Sequence, residues 1–398
     1  MDNFEYNDYS NYSNQGFEGV YSQSWREKGN DDSVWQKLNE LKKDLVRFLR
    51  KHPDQFEFQK NCTFAIRERV LWLLNLFMNS KKPIGILTRS KWGNVLLDEK
   101  LGVRLKEDIE IYNLIGKEKR GRMLALLCRI FVNINSNDFA TKRELYYRDK
   151  KIYEKQANCD SSIEDLCCIT HYSRKELHIL SCPKGSIYGR IEYKLDNITY
   201  NCMDYKYGLT ISPDMNEMQE IKTDARFILV IEKDATFQHL LTRRVVDKFP
   251  AILITGKGFP DAETRRCVKF LSTKLKIPVL GLVDCNPWGL EIFCIYRFGS
   301  LAMAHDAMHC TVMPSKWLGL LPTDLVKFNI SIDQTEELNE RDLAKINSLK
   351  RRPYITQNKA LLDELEFMLK NNRKAELQAL VNVVETYLPI KIKEGSWK

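Results

Sequence analysis

Long apolar runs are missing from this chain. The longest, Val70–Met78, is about half of the ~20 residues a helix needs to cross a bilayer, so no membrane span is expected. A leader pattern is missing too: the first residues are acidic and polar, not basic and then apolar. No C-x-x-C occurs among the eleven cysteines, their number is odd, and Cys167 and Cys168 are adjacent. Reduced intracellular thiols are the better reading than a disulfide framework. His305, His309 and Cys310 could face a metal from one helix, but no partner pair stands at zinc-module spacing. There is no G-x-x-x-x-G-K-[ST] loop, so no ATPase is expected here, and there are no internal repeats.

What is present is a globular composition, 43% hydrophobic over 398 residues, enough for two or three domains. The 62 bases exceed the 53 acids, a net +9. Residues 1–35 hold seven acids and two bases, a local −5 that leaves +14 on the remainder. A basic body of this kind suits a polyanion such as DNA, or is simply a soluble basic protein.

Residues 1–33, rich in Asn, Tyr, Ser and Gly, read as a tail. Val34, Leu38, Leu41, Leu45 and Phe48 then form a heptad-like stripe, packed either on the protein's own core or on a partner. His52–Pro53–Asp54 stops this helix. Further helices are expected over Phe64–Met78 and Met123–Val132, with a loop at Asn135–Asp138. Over 161–200 the pattern is two short helices and a hairpin. Ile163, Leu166, Cys167 and Thr170 share one helix face, Ser173 caps a second helix with Arg174, Lys175 and His178, and Ile187–Tyr193 makes a wing strand. From 226 onward the texture is β-α-β-α-β-α, with apolar strands at 227–232, 251–255 and 278–284, which predicts a parallel sheet covered on both faces. The last sixty residues are helical and charged, with Leu361, Leu362, Leu365 and Met368 on a core face.

Function in such a sheet sits beyond the carboxyl ends of the strands. Glu232 closes the first strand, Asp284 closes the third, and Asn286 follows on the turn before a helix. Oxygen ligands converging there suit Mg²⁺. The alternative is that Asp284 caps the Trp288 helix and Glu232 meets a lysine.

Three segments carry a resemblance: Ile231-Glu-Lys-Asp-Ala-Thr-Phe237, Thr255-Gly-Lys-Gly-Phe-Pro-Asp261 with Thr264-Arg265, and Val283-Asp-Cys-Asn-Pro-Trp-Gly289. They resemble a Toprim domain, and more closely the eukaryotic meiotic double-strand-break proteins, relatives of the A subunit of archaeal topoisomerase VI. Trp317–Pro322 and Arg352–Ile355 look like the same family, whose match runs from about residue 110 to the end. The family's motif is a Glu followed by Asp-x-Asp; here it reads Asp284-Cys-Asn286, so the site has one negative charge fewer.

Thr141-Lys-Arg-Glu-Leu-Tyr-Tyr-Arg148 resembles the family's nucleophile segment. Two consecutive tyrosines on a helix point about 100° apart, and the resemblance makes Tyr147 the nucleophile and Tyr146 a packing or positioning residue. A free phenol titrates near ~10, so a cation such as Arg143 is expected to help it. The resemblance implies an α+β multidomain chain: a winged-helix (CAP-like) domain over 110–205, then an α/β Toprim domain with C-terminal helices over 206–398, after a helical region over 34–109. It implies a topoisomerase-like transesterase that cuts double-stranded DNA through a 5′-phosphotyrosyl link and initiates meiotic recombination. Glu232, Asp284 and Asn286 would hold Mg²⁺. Arg174, Lys175, Arg190, Lys257 and Arg265 would touch DNA. It further implies a homodimer on DNA in the nucleus, a topoisomerase VI B-like subunit docked on the 34–48 stripe, and meiotic accessory proteins. The competing readings are the A subunit of a DNA-relaxing topoisomerase and a DNA-binding scaffold with weak chemistry.

Overall fold

The computed structural model describes residues 32–51, 63–80, 84–87, 92–106, 112–180, 183–380 and 386–398. Residues 1–31 of the expected tail and the stop at His52–Pro53–Asp54 lie outside them. Two hydrophobic cores organise the rest.

The first helix, α1 (Asp32–Lys51), belongs to the larger core. Trp35, Leu38 and Leu41 are buried there and Leu45 is buried beside them, the helix packing chiefly against the last helix, Leu388–Glu394. Trp35 meets Phe249 edge-on at 6.2 Å and lies 4.5 Å under the Arg226 guanidinium. This corrects the expectation that the stripe docks a B-like subunit. Its apolar area is already removed from water by the chain's own core, so little driving force remains for a partner.

Helices α2 (Thr63–Asn79), α3 (Lys117–Ser136), α4 (Lys142–Arg148) and α5 (Gln156–Thr170) build the smaller core. Val70, Leu73, Phe77, Leu126, Leu145 and Ile163 meet in it. α3 outruns its expected range at both ends and stops at Asn137, which takes the left-handed conformation at φ 55° that Asn tolerates at a helix end. The second helix expected from Ser173 is only one turn. Ser173 and Glu176 do exchange capping hydrogen bonds at 2.7 and 3.3 Å. His178 then turns left-handed at φ 57°, its ring stacked 4.3 Å from Phe139, and Ile179–Leu180 pairs with Ala140–Thr141.

The larger core surrounds a six-stranded sheet. Its strands are β1 (Ser186–Gly189), β4 (Leu209–Thr210), β6 (Phe227–Ile231), β7 (Ala251–Thr255), β8 (Val279–Leu282) and β9 (Lys316–Gly319), in the order β4-β1-β7-β6-β8-β9. The last four are mutually parallel, and β1 and β4 run antiparallel at one edge. Every residue of β6, β7 and β8 is buried, as their unbroken apolar runs predict.

The expected wing strand Ile187–Tyr193 is two strands. Gly189 sits at φ 116°, and a Cβ there would lie 2.4 Å from the Ala251 carbonyl oxygen, so the chain bends where only glycine fits. The first half joins the large sheet as β1. The second half, β2 (Glu192–Leu195), lies between β3 (Ile198–Asn201) and β5 (Gln219–Lys222) in a small antiparallel sheet. Large-sheet pairing therefore crosses the boundary expected at 205.

The sheet carries α6 (Asp234–Thr242), α7 (Ala262–Leu275) and α8 (Pro287–Phe298). α6 stops short of Asp247 because Arg244 turns left-handed at φ 51°. In the later helix α9 (Lys359–Asn371), Leu361, Leu365 and Met368 are buried and Leu362 is half-buried. Among the described residues, no helix is long and apolar enough to cross a membrane.

Candidate active site

β6 and β8 are parallel neighbours, so their carboxyl ends open at one edge. Glu232 follows β6 and Asp284 follows β8, with 8% and 2% of their surface exposed. Glu232 Oε2 accepts the Asp284 backbone N–H at 2.8 Å, and Asp284 Oδ1 accepts that of Leu377 at 2.9 Å. The first turn of α8 presses over them: a Cβ on Gly289 would lie 2.4 Å from the Asp284 carbonyl oxygen and 3.0 Å from Glu232 Oε2. Burial, with the charge of Asp284 added, pushes the Glu232 carboxyl up to about 7. Burial also raises Asp284.

The Asn286 oxygen already has one partner. Oδ1 accepts the Gly289 N–H at 2.8 Å, capping α8 ahead of Pro287. Asn286, not Asp284, is the helix cap, and Asp284, not Glu232, meets a lysine. Lys233 Nζ stands 3.0 Å from Asp284 Oδ2 and 3.0 Å from Glu376 Oε2.

The two buried carboxylates are oxygen donors of the kind a hard divalent cation takes, and the Lys233 ammonium now pairs with one of them. Among the described residues, no group of three or more His, Cys, Asp or Glu side chains is arranged to hold a metal ion. That also corrects the His305–His309–Cys310 idea. His309 Nδ1 and Cys310 Sγ both turn to Asp306, at 2.8 and 3.4 Å, whereas His305 Nδ1 faces Cys168 Sγ at 3.4 Å. Burial would raise the Asp306 carboxyl, but Arg266 and His309 outweigh it and hold it well below the usual range.

Tyrosines 146 and 147 lie near the end of α4. A capping box starts this helix: the Glu144 N–H donates to Thr141 Oγ1 at 3.1 Å and the Thr141 N–H to Glu144 Oε2 at 3.4 Å. Leu145 and Tyr146 are buried in the smaller core, and Tyr146 Oη donates to the Glu154 carbonyl at 3.3 Å. Tyr147 is 67% exposed, its ring 5.2 Å from that of Tyr146. Arg143, also exposed, stands one turn earlier on the same helix face. Behind the helix, Arg129 grips Asp149 through two hydrogen bonds of 2.8 and 2.9 Å.

The five expected DNA contacts divide sharply. Arg265 is 1% exposed, with Nε directed to the Cys310 carbonyl at 3.3 Å. Arg190 is 7% exposed and bonds the Val246 carbonyl at 2.8 Å and Asp224 at 2.7 Å. Neither reaches a surface where a phosphate could lie. Arg174 pairs with Glu164. Lys175 bridges the two lobes, to Asp214 at 2.7 Å and Glu217 at 3.1 Å, beside an interlobe cavity of 340 Å³. Lys257 alone of the five is exposed, on a loop where it turns left-handed at φ 52°. Sequence reading missed the roles of Lys233 and Glu376. The lysine adjoins Glu232 and was legible as a neighbour, whereas Glu376 arrives from far along the chain with no spacing signal.

Two domain families match, and together they define a type IIB DNA topoisomerase architecture. Residues 227–392 match the Toprim domain of Spo11 and the topoisomerase 6 A subunit, a metal-binding fold that generally uses Mg²⁺, and residues 118–179 match the Type IIB DNA topoisomerase family. The human meiotic recombination protein SPO11 is 37% identical over 82% of this chain and 85% of its own length. The Caenorhabditis elegans meiotic recombination protein spo-11 is 35% identical over 70% and 65%, and the A subunit of Arabidopsis thaliana DNA topoisomerase 6 is 33% identical over 69% and 65%. The chain belongs to the family formed by Spo11 and the A subunit of topoisomerase VI.

Proposed function

We propose that this chain is a topoisomerase-like DNA transesterase that makes meiotic DNA double-strand breaks and so initiates recombination. The observation that carries the reading is Tyr147, the exposed member of the tyrosine pair, on a capped helix inside the segment that matches the type IIB topoisomerase family. Its Oη forms a bond to a DNA phosphorus as the bond from that phosphorus to the 3′ oxygen breaks. The phenol loses its proton and the 3′ oxygen gains one, leaving a 5′-phosphotyrosyl link and a free 3′-OH. One phosphodiester replaces another, so cutting needs no ATP. Arg143 offsets the charge that develops on phosphate.

Glu232 and Asp284 would hold Mg²⁺, which when bound would supply positive charge near the departing oxygen. Helices α3–α5, with the turn that follows, serve as the winged-helix DNA-binding unit. Exposed Arg143, Lys150, Lys151 and Lys257 supply phosphate contacts. Two protomers on duplex DNA in the nucleus each lend Tyr147 to the other's carboxylate edge. Their partners are meiotic accessory proteins and a B-like subunit.

A relaxing topoisomerase is the second reading, favoured by the identity to plant topoisomerase 6 A subunits. ATP-dependent relaxation with a B-type partner would support it. The primary test is immunoprecipitation from meiotic cells under denaturing conditions, followed by extension of attached DNA at its 3′ end with labelled nucleotide. Label in wild type that is lost in Tyr147→Phe and kept in Tyr146→Phe is expected. No label in wild type while breaks form elsewhere in the genome would make the chain a scaffold.

A further inference from the structure

The carboxylate edge already holds a cation of its own. Lys233 Nζ has three side-chain oxygens around it: Asp284 Oδ2 at 3.0 Å, Glu376 Oε2 at 3.0 Å and Gln378 Oε1 at 3.5 Å. Oxygen donors surrounding one positive charge are also what a hard divalent cation takes.

Backbone pairing brings Glu376 to this place. The Ala375 N–H donates to the Cys285 carbonyl at 3.0 Å, and the Leu377 N–H donates to Asp284 Oδ1 at 2.9 Å. Residue 376 is therefore held between two residues fastened to the strand end that carries Asp284. Its side chain is still 62% exposed, and its carboxylate meets solvent on one side and the Lys233 ammonium on the other. Asn286, by contrast, is neutral, and its oxygen is committed to the α8 cap. The missing third charge has a substitute at the edge, but on a different segment of the chain.

We infer that Glu376 is a ligand of the divalent cation at this edge, and that the Lys233 ammonium is a tethered counter-ion which the metal displaces. The inference rests on the reading of Glu232 and Asp284 as a metal pair. A dication close to Asp284 repels the Lys233 ammonium strongly in such a poorly solvated place. The Lys233 side chain is 26% exposed and has a path to water. As it leaves, Glu376 closes on the cation. Without metal, Lys233 neutralises part of the charge on two buried acids, so the edge stays folded before DNA and metal arrive.

The test is Mn²⁺ binding to the full-length protein without DNA, followed by electron paramagnetic resonance of free Mn²⁺ above pH 8. Glu376→Gln should weaken binding by about tenfold or more, the scale on which metal-site partners act. Lys233→Gln should tighten binding several-fold and enlarge the rise in melting temperature that Mn²⁺ produces. Both side chains are partly exposed, and the melting curves without metal verify folding. Loss of binding in Glu232→Gln with unchanged binding in Glu376→Gln would overturn this inference alone. Unchanged binding in Glu232→Gln would overturn the metal pair, and this inference with it.

Discussion

The carboxylate edge and the tyrosine helix sit on different cores and are built in opposite ways. At the edge, Glu232 and Asp284 are buried, bonded to each other through backbone, and crowded by the first turn of α8. On α4 the neighbouring tyrosine is locked into the smaller core while Tyr147 stands in solvent. On the proposed reading, the edge receives a cation. The helix is shaped to present one oxygen to something outside its own lobe. If Tyr147 is the nucleophile, as proposed, it gains its chemical setting only when DNA and a carboxylate edge are brought to it, which is the physical case for a composite site.

The largest expected effect breaks the contrast at its exposed end. Tyr147→Phe should reduce covalently attached DNA to background, and Tyr146→Phe should retain it, read by 3′-end labelling. Next is packing: Leu145→Ala should cost about 2–5 kcal/mol in the smaller core, measured by denaturant unfolding, since Leu145 is fully buried. Arg190→Ala should cost about 1–3 kcal/mol through its lost hydrogen bonds, while DNA affinity by fluorescence anisotropy stays within about twofold. A fall in affinity with stability unchanged would restore Arg190 as a DNA contact.

The smallest effect concerns pH. Burial, with the charge of Asp284 beside it, pushes the folded Glu232 carboxyl from its ordinary 4.5 up to about 7. Between those values the folded state binds more protons than the unfolded one, so metal-free stability falls as pH rises through that window. Glu232→Gln should flatten this fall in thermal melts. An equal slope in wild type and variant would place the raised group elsewhere.

Much of the larger core was legible because β6, β7 and β8 are unbroken apolar runs, and length and β-branching separate them from helices. Glu232 and Asp284 were legible as residues closing those runs. The burial of Arg190 and Arg265 was not, since a basic residue looks the same in sequence whether it faces water or a backbone carbonyl. The stripe on α1 showed that it would be covered, but amphipathic periodicity does not say by what. The wing strand misled because Gly189 hands one half of a single strand-like pattern, Ile187–Tyr193, to each of two sheets. Glu376 depended on a pairing between Cys285 and Ala375, distant in sequence, for which neither periodicity nor spacing carries a signal.

The composite site is the central claim, and complementation tests it most directly. Tyr147→Phe and Glu232→Gln chains are expressed in meiotic cells separately and then together, and covalent DNA is labelled at its 3′ end. If each tyrosine works with the partner protomer's carboxylates, a mixed dimer keeps one intact site, so label should return only on co-expression. Three dark samples, with wild type labelled and the mixed dimer recovered by differential tags, would contradict it and place both residues of each site on a single protomer.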